Sequence, residues 1–419
     1  MVHMTPSPSV DAVLLAAAHM PGLACFDAGL QRTMVTWGDQ DPCTELSAWR
    51  EFVRSQCTLN ADPSGFYGGG VIGWLGYEAG TTVERMPVSR TPRATHDLCL
   101  WRTEGGATLD HNTGQWIIRG SDSFRREANN IFQQANKPSA QPPERAAGRW
   151  VPQDYDTRSE QFQQGVKSIL DAIHAGDVYQ VNLAWEHANI PIDDGLQSWL
   201  NLRALNPARR GCYLKQGETE ILSNSPELFL HIDGQTKTIR STPIKGTAHT
   251  DGGETAKKAL LVSPKEQAEL TMIVDLVRND IGRIASPGTV KAGTRVLRRC
   301  GDLWHAEQSI SAQLAPNKDI VDVVAATFPP GSVTGAPKVR AMEVIHQLEN
   351  QPRGVYTGAL GWFADGGSAH FNVAIRTATV CDGFGRFHVG AGIVADSESE
   401  SEWQETLAKA RALANCLES

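Results

Sequence analysis

The stretch Ser159–Leu183, SEQFQQGVKSILDAIHAGDVYQVNL, changes its periodicity halfway along and so decides the class of fold. Apolar residues recur at Phe162, Val166, Ile169, Leu170 and Ile173, the spacing of one helix face. Gly176 then ends the helix, because glycine adopts the left-handed conformation that closes a C-terminus. In Val178-Tyr179-Gln180-Val181-Asn182-Leu183 the period falls to two: Tyr179, Val181 and Leu183 share one face, Gln180 and Asn182 the other. Two amides on one face either meet solvent or line a pocket. Short β-like runs at Val71–Leu75, Gln115–Arg119 and Glu220–Ser223 alternate with helical stretches, and well-marked βαβ units are few. The expected class is α+β rather than a doubly wound sheet.

A chain of 419 residues suggests two domains, or one large domain with an accessory half. The sharpest break in composition is Asn136–Asp154, NKPSAQPPERAAGRWVPQD, with four prolines and few apolar residues. It reads as a linker between an N-terminal region, 1–135, and a C-terminal catalytic region, 155–419. With 41% hydrophobic and 21% charged residues the chain has the composition of an ordinary globular protein, and its net charge of −8 argues against a nucleic-acid surface. The opening MVHMTPSPSV lacks a signal-peptide pattern and no apolar run is long enough for a membrane span, so a cytoplasmic protein is expected. Eight cysteines lie scattered without a CxxC pair, which reads as reduced, mostly buried thiols.

Four further segments carry chemistry. Ser263–Ile284 is an amphipathic helix with Leu270, Ile273, Val274, Val277 and Ile281 on its core side. Ser263, Pro264 and Glu266 make a capping signature, which accounts for Glu266 but not for Glu269 one turn on, where like charges repel unless a cation intervenes. On a C-terminal helix, Glu400–Leu417, Glu402, Glu405 and Lys409 share a face; an exposed Glu405–Lys409 pair is the simpler explanation. Carboxylates from two helices are also what Mg²⁺ uses, as hard oxygen ligands that leave room for water and an anionic substrate. FPPGSVTGAPKVR (Phe328–Arg340) is a Gly/Pro-rich entry to a helix near Pro337, and it fails the phosphate-loop pattern because Val339 follows Lys338. Gly68–Gly73 matches GxGxxG literally, but Gly76 interrupts any helix after it, so close backbone packing is expected there instead of a dinucleotide.

In order along the chain, GDVYQVNL (Gly176–Leu183), Ser225-Pro226-Glu227, PIKGT (Pro243–Thr247), KEQAELTMIVDLVRND (Lys265–Asp280), TGAPKVRAME (Thr334–Glu343), Ala374-Ile375-Arg376-Thr377 and GAGIVAD (Gly390–Asp396) resemble the chorismate-binding family. Its members include the synthase components of anthranilate and aminodeoxychorismate formation and their isochorismate and salicylate relatives. The resemblance covers Tyr155–Leu417 and is looser before it, mainly in FYGGGVIGWLGYE (Phe66–Glu78). It implies a fold of large antiparallel sheets packed with helices. It also implies a Mg²⁺ ion held chiefly by Glu269 and Glu405, with Glu266 and Glu402 nearby through water, anchoring one chorismate carboxylate. The other carboxylate would meet Arg376 and backbone amides at Gly390, Ala391 and Gly392, with Tyr356 and Lys409 adjacent; an arginine fork suits a carboxylate through two parallel charge-assisted bonds. Along its strand Arg376 is expected to share a face with Asn372 and Ala374. His305 matches the histidine that faces the reacting ring, and Thr247 lies in the motif that carries Lys245.

Two positions discriminate within the family. Branches that add water resemble one another in carrying a lysine base where this chain has Gln180, and an amide does not take a proton at neutral pH. Lys245, where the family often has a small side chain, implies the aminodeoxychorismate-forming branch: its amine attacks ring carbon 2, Glu227 protonates the departing 4-hydroxyl, and ammonia then attacks carbon 4. No cysteine has the surroundings of a glutaminase nucleophile, and Gly211-Cys212-Tyr213 is a poor candidate, so the ammonia is expected from a separate glutamine amidotransferase subunit. Two departures from the family pattern are Ala306-Glu307-Gln308 after His305 and Ala248-His249-Thr250 after Thr247. An anthranilate-forming enzyme and a non-catalytic binding partner are the alternatives.

Overall fold

The computed structural model describes residues 7–29, 31–38, 40–58, 67–87, 95–135, 150–300, 303–349 and 351–418. Most of the expected linker, and Phe66, lie outside them. Twenty strands among the described residues form two ten-stranded sheets, and every pairing is antiparallel. The first runs in the order Gly335–Ala336, Gln180–Pro191, Phe384–Ile393, Thr377–Cys381, Thr219–Ser225, Arg210–Gln216, Ala24–Ala28, Arg32–Thr36, Gly105–Asp110, Gln115–Gly120. The second runs Ile244–His249, Leu303–Gln313, Thr238–Thr242, Leu228–Ile232, Ala369–Val373, Ala359–Ala364, Gly70–Leu75, Leu98–Thr103, Gln40–Cys43, and Lys291–Cys300 also pairs with Leu303–Gln313. The fold is thus α+β with large antiparallel sheets, as expected. Strands from both sides of residues 136–154 pair within each sheet, so the N-terminal region completes both rather than standing apart.

Three apolar clusters follow from this layering. One packs the helices Tyr155–His174, Gly195–Leu205, Lys338–Leu348 and Ser399–Leu417 on the first sheet, with Phe162, Val166, Ile169 and Trp403 at its centre. A second packs Pro264–Gly282 and Ile320–Thr327 on the other sheet through Ile273, Val274, Ile281 and Val324. Between the sheets, Phe26, Trp74, Trp101, Leu214, Ile221 and Leu360 form the third. Each such side chain contributes about 1.5–3 kcal/mol when fully buried, which is why the periodic apolar positions fix the elements.

The opening stretch folds as its periods require. Its helix is Tyr155–His174 and Gly176 takes φ +80°; the following strand is Gln180–Pro191. Val181 and Leu183 enter the core, while Gln180 and Asn182 are buried on the opposite face, so the two amides line a pocket. Tyr179 precedes the strand and is 63% exposed. The acidic helix is Pro264–Gly282, and Ser263 Oγ accepts from the Glu266 N–H at 3.4 Å. Cys25, Cys43, Cys57, Cys99, Cys212, Cys381 and Cys416 are free, and none of the described helices is long and apolar enough to cross a membrane.

One expectation fails. The alternation drawn from Asn372 through Arg376 assumes a strand, but the strand ends at Val373 and the next begins at Thr377, in the other sheet. Arg376 sits in the crossing between the sheets at φ +50°, an uncommon conformation for a residue with a side chain, held by its carbonyl accepting from the Asn224 N–H at 2.9 Å. Its direction is set by that crossing and not by strand alternation.

Candidate active site

The site forms where strands of both sheets converge. Thr238–Thr242 and Ile244–His249 lie on the same side of Leu303–Gln313, interrupted at Pro243, so Lys245 stands opposite Ala306 just past the break. The ladder shifts register between Lys245 and Thr247, where Gly246 takes φ +79°. A Cβ on Gly246 would come within 2.5 Å of Glu266 Oε2, so this position needs glycine both for its backbone and for the approach of that carboxylate.

Lys245 reaches across to the first sheet. Its Nζ lies 2.9 Å, and Gln180 Nε2 3.0 Å, from where a Cβ on Gly392 would stand. Both polar atoms of the fully buried Gln180 amide lack a partner within the protein, whereas the Asn182 side chain lies beside the Tyr356 hydroxyl. A buried amide ordinarily finds partners, so Gln180 points to a polar ligand. Neighbouring Gly390 packs close to Tyr356 Oη, and its carbonyl accepts from Lys409 Nζ at 3.0 Å. Ala391 faces the helix-packed core, so the two glycines, not the alanine, lie on the side where Tyr356, Lys245 and Gln180 crowd the strand. Phe384–Phe387 pairs with Ala378–Cys381, and beyond Phe387 that side of the strand carries no ladder.

Glu227 is the buried acid of the site. It is 3% exposed, and burial pushes its carboxyl up to about 7 against the opposing effects of Ser332, Lys245 and the Ile244 backbone. A carboxylic acid poised near neutrality is suited to donating a proton. His305 is pushed the other way, down to about 3, first by burial and then by the Arg376 guanidinium, with Lys409 adding to it. It is therefore neutral, with Nδ1 3.1 Å from Thr247 Oγ1 and Nε2 3.5 Å from Arg376 Nη2. Arg376 beside neutral His305 offers a guanidinium suited to a carboxylate, while Lys409 is paired with Glu405.

The four candidate metal ligands come from the two expected helices. Glu266 lies against Gly246 and Glu269 follows one turn on; Glu405 pairs with Lys409 at 2.7 Å, and Glu402 accepts from Ser397 Oγ at 2.6 Å. Among the described residues no three His, Cys, Asp or Glu side chains already converge as a metal-binding group. In donor chemistry the set fits Mg²⁺: all oxygens, all carboxylates, and Glu405 is 54% exposed in a pair that a divalent cation readily replaces.

Behind the pocket lie residues whose role the sequence hid. Arg353 is buried, pairs with Glu349 at 2.6 Å, donates to the carbonyls of Asn182 and Val333, and sits over the rings of Tyr77 and Tyr356. Glu78 accepts from the Arg353 and Gly354 N–H groups. Lys338 and Asp280 form a second buried pair at 2.6 Å, which explains the lysine of the TGAPK segment without any phosphate. A buried charge finds a partner, so its burial would have been the signal; sequence period does not report burial of a single arginine or lysine.

Comparison with known proteins agrees with this architecture. The chorismate binding enzyme family profile matches residues 19–415, including the N-terminal part where the motifs are looser. Aminodeoxychorismate synthase component 1 of Escherichia coli is 34% identical over 396 residues, covering 93% of this chain and 84% of that one. Anthranilate synthase component 1 of Streptomyces coelicolor is 33% identical over 399 residues, covering 89% and 76%. Among solved structures, anthranilate synthase component I from Streptococcus pneumoniae superposes with a TM-score of 0.74 at 23% identity, covering 99% of this chain and 93% of that one. With the fold, the motif order and the profile in agreement over nearly its whole length, the chain belongs to the chorismate-binding enzymes.

Proposed function

We propose that the protein aminates chorismate at ring carbon 4, forming 4-amino-4-deoxychorismate by way of a covalent adduct on Lys245. The observation that carries this reading is the placement of Lys245 Nζ against Gly392 and the unpartnered Gln180 amide, electrostatically coupled to the buried acid Glu227. The Lys245 amine forms a bond to carbon 2 as the carbon 4–oxygen bond breaks, and Glu227 gives its proton so that the hydroxyl leaves as water. Ammonia then bonds to carbon 4, the Lys245–carbon 2 bond breaks, and the amine is released with the enolpyruvyl group still in place. Gln180 lacks a basic atom for activating water at this position. Arg376 and Lys409 answer the carboxylates, and neutral His305 packs at the ring.

Mg²⁺, held by Glu269 and Glu405 with Glu266 and Glu402 behind them, would neutralise one substrate carboxylate. Ammonia would come from a separate glutamine amidotransferase: burial holds the Cys212 thiol up at about 12, too high for a glutaminase nucleophile. An anthranilate-forming reaction is the second reading, because relatives of both names match at similar identity. Mass spectrometry of the protein incubated with chorismate and Mg²⁺ but without ammonia tests the covalent step. An adduct of chorismate less water on the Lys245 peptide is expected. No adduct, together with an undiminished amination rate in Lys245→Ala, would contradict it.

A further inference from the structure

Between Glu227 and the Lys338–Asp280 pair lies a cavity of about 10 Å³, bordered by Glu227, Ser241, Asp280, Thr327, Gly331 and Ser332 among others. That is close to the space one water centre needs, and the lining offers the several polar partners that a buried water requires. The ion pair at its far wall is complete. Lys338 Nζ donates to Asp280 Oδ2 at 2.6 Å and to the Thr327 carbonyl at 2.9 Å, which uses two of its three N–H donors. Asp280 Oδ1 is met at 3.4 Å by Arg283, which also holds Glu84. On the near wall Ser332, the Ile244 backbone and Lys245 all lie near enough to the Glu227 carboxyl to favour its ionised form against the effect of burial.

We propose that a single buried water occupies this cavity and links Glu227 to the Lys338–Asp280 pair, which thereby acts as a positioning pair for the acid of the site. The water donates one O–H to Asp280 and the other to the inner oxygen of Glu227. With the water donating to the inner oxygen of Glu227, the carboxyl's own proton is placed on the outer oxygen, facing Lys245 and the ring. Nothing in the reaction is transferred through the pair; it fixes which oxygen carries the proton. This rests on Glu227 being the acid.

A crystal structure at a resolution that shows ordered water, with kinetics on two variants, tests the inference. Ser241→Val fills the cavity while leaving the ion pair intact, and Lys338→Met/Asp280→Asn removes both charges together so that neither is orphaned. A water within hydrogen-bonding distance of Glu227 and Asp280 is expected in the native protein. Both variants are expected to lower kcat at least tenfold with little change in the KM for chorismate, and to move the alkaline limb of the kcat profile upward, because a donor to the carboxylate form is lost. A dry cavity, or a folded Ser241→Val variant with native kcat and native alkaline limb, would overturn the inference. Full activity in Glu227→Gln would instead remove the acid assignment itself, a separate outcome.

Discussion

Lys245 Nζ, on the second sheet, lies 2.9 Å from the position that a Cβ on Gly392 of the first sheet would occupy. Only the absence of a side chain at Gly392 lets the amine and the Gln180 amide reach the same point. Gly392→Ala is expected to leave the melting temperature within a few degrees of native, because the atoms displaced are ends of flexible side chains. Amination should fall about 10²-fold, the scale of an ångström's misplacement of a reacting group. Thermal denaturation and steady-state kinetics on the one variant check both halves.

Glu227 sets a pH dependence of stability. Its folded pKa of about 7 lies above the ordinary 4.5, so the folded state binds this proton more tightly than the unfolded state does. The stability it contributes is therefore full below pH 4.5 and is lost as pH rises through 7. Glu227→Gln, which has no proton to lose, should gain on the native protein between pH 4.5 and 8 by up to about 3 kcal/mol. Denaturant titrations at the two pH values measure the difference, and the same variant should lose roughly 10²–10⁴-fold in rate.

His305 acts in the opposite sense. Its folded pKa of about 3 lies below 6.5, so its contribution is present above pH 6.5 and is lost as pH falls toward 3. In NMR spectra its ring resonances should not titrate between pH 5 and 8. His305→Gln should flatten the acid side of the stability profile relative to native.

The Lys338–Asp280 pair tests buried-charge energetics within the fold. Lys338→Met alone leaves Asp280 ionised in a buried site and should cost about 3–5 kcal/mol. The double change Lys338→Met/Asp280→Asn should cost much less, and urea denaturation of both variants gives the coupling between the residues.

Mg²⁺ should stabilise the substrate-free protein by mass action, by about 2.7 kcal/mol at a hundredfold excess over its dissociation constant, and so raise its melting temperature. Glu269→Gln and Glu405→Gln should each reduce that gain, while Glu254→Gln on an exposed helix turn should not. Calorimetric titration with the metal alone reads this without any turnover.

Much of this architecture was legible in the sequence because burial leaves a period. Phe162, Val166 and Ile169 at helical spacing, then Val181 and Leu183 in alternation, set the boundary at Gly176 and put Gln180 and Asn182 on one face, and only the fold shows that this face is buried. Motif order singled out Glu227, Lys245 and His305, which come from the short connection before Leu228–Ile232 and from the strands Ile244–His249 and Leu303–Gln313. What was not legible is what depends on single contacts. Arg376 breaks the alternation because the chain changes sheets there, and Arg353, Lys338 and Asp280 are paired by approaches between distant segments that leave no local pattern. The shared membership of both sheets was hidden for the same reason, since strand pairing across a proline-rich interruption has no signature in composition.

The most direct test is product analysis of the protein incubated with chorismate, ammonium and Mg²⁺. Chorismate should be consumed without release of pyruvate and without anthranilate fluorescence, and the product should yield 4-aminobenzoate only when a suitable lyase is added. Anthranilate formed together with equimolar pyruvate would contradict the assignment of Lys245 and place the chain among the anthranilate-forming enzymes.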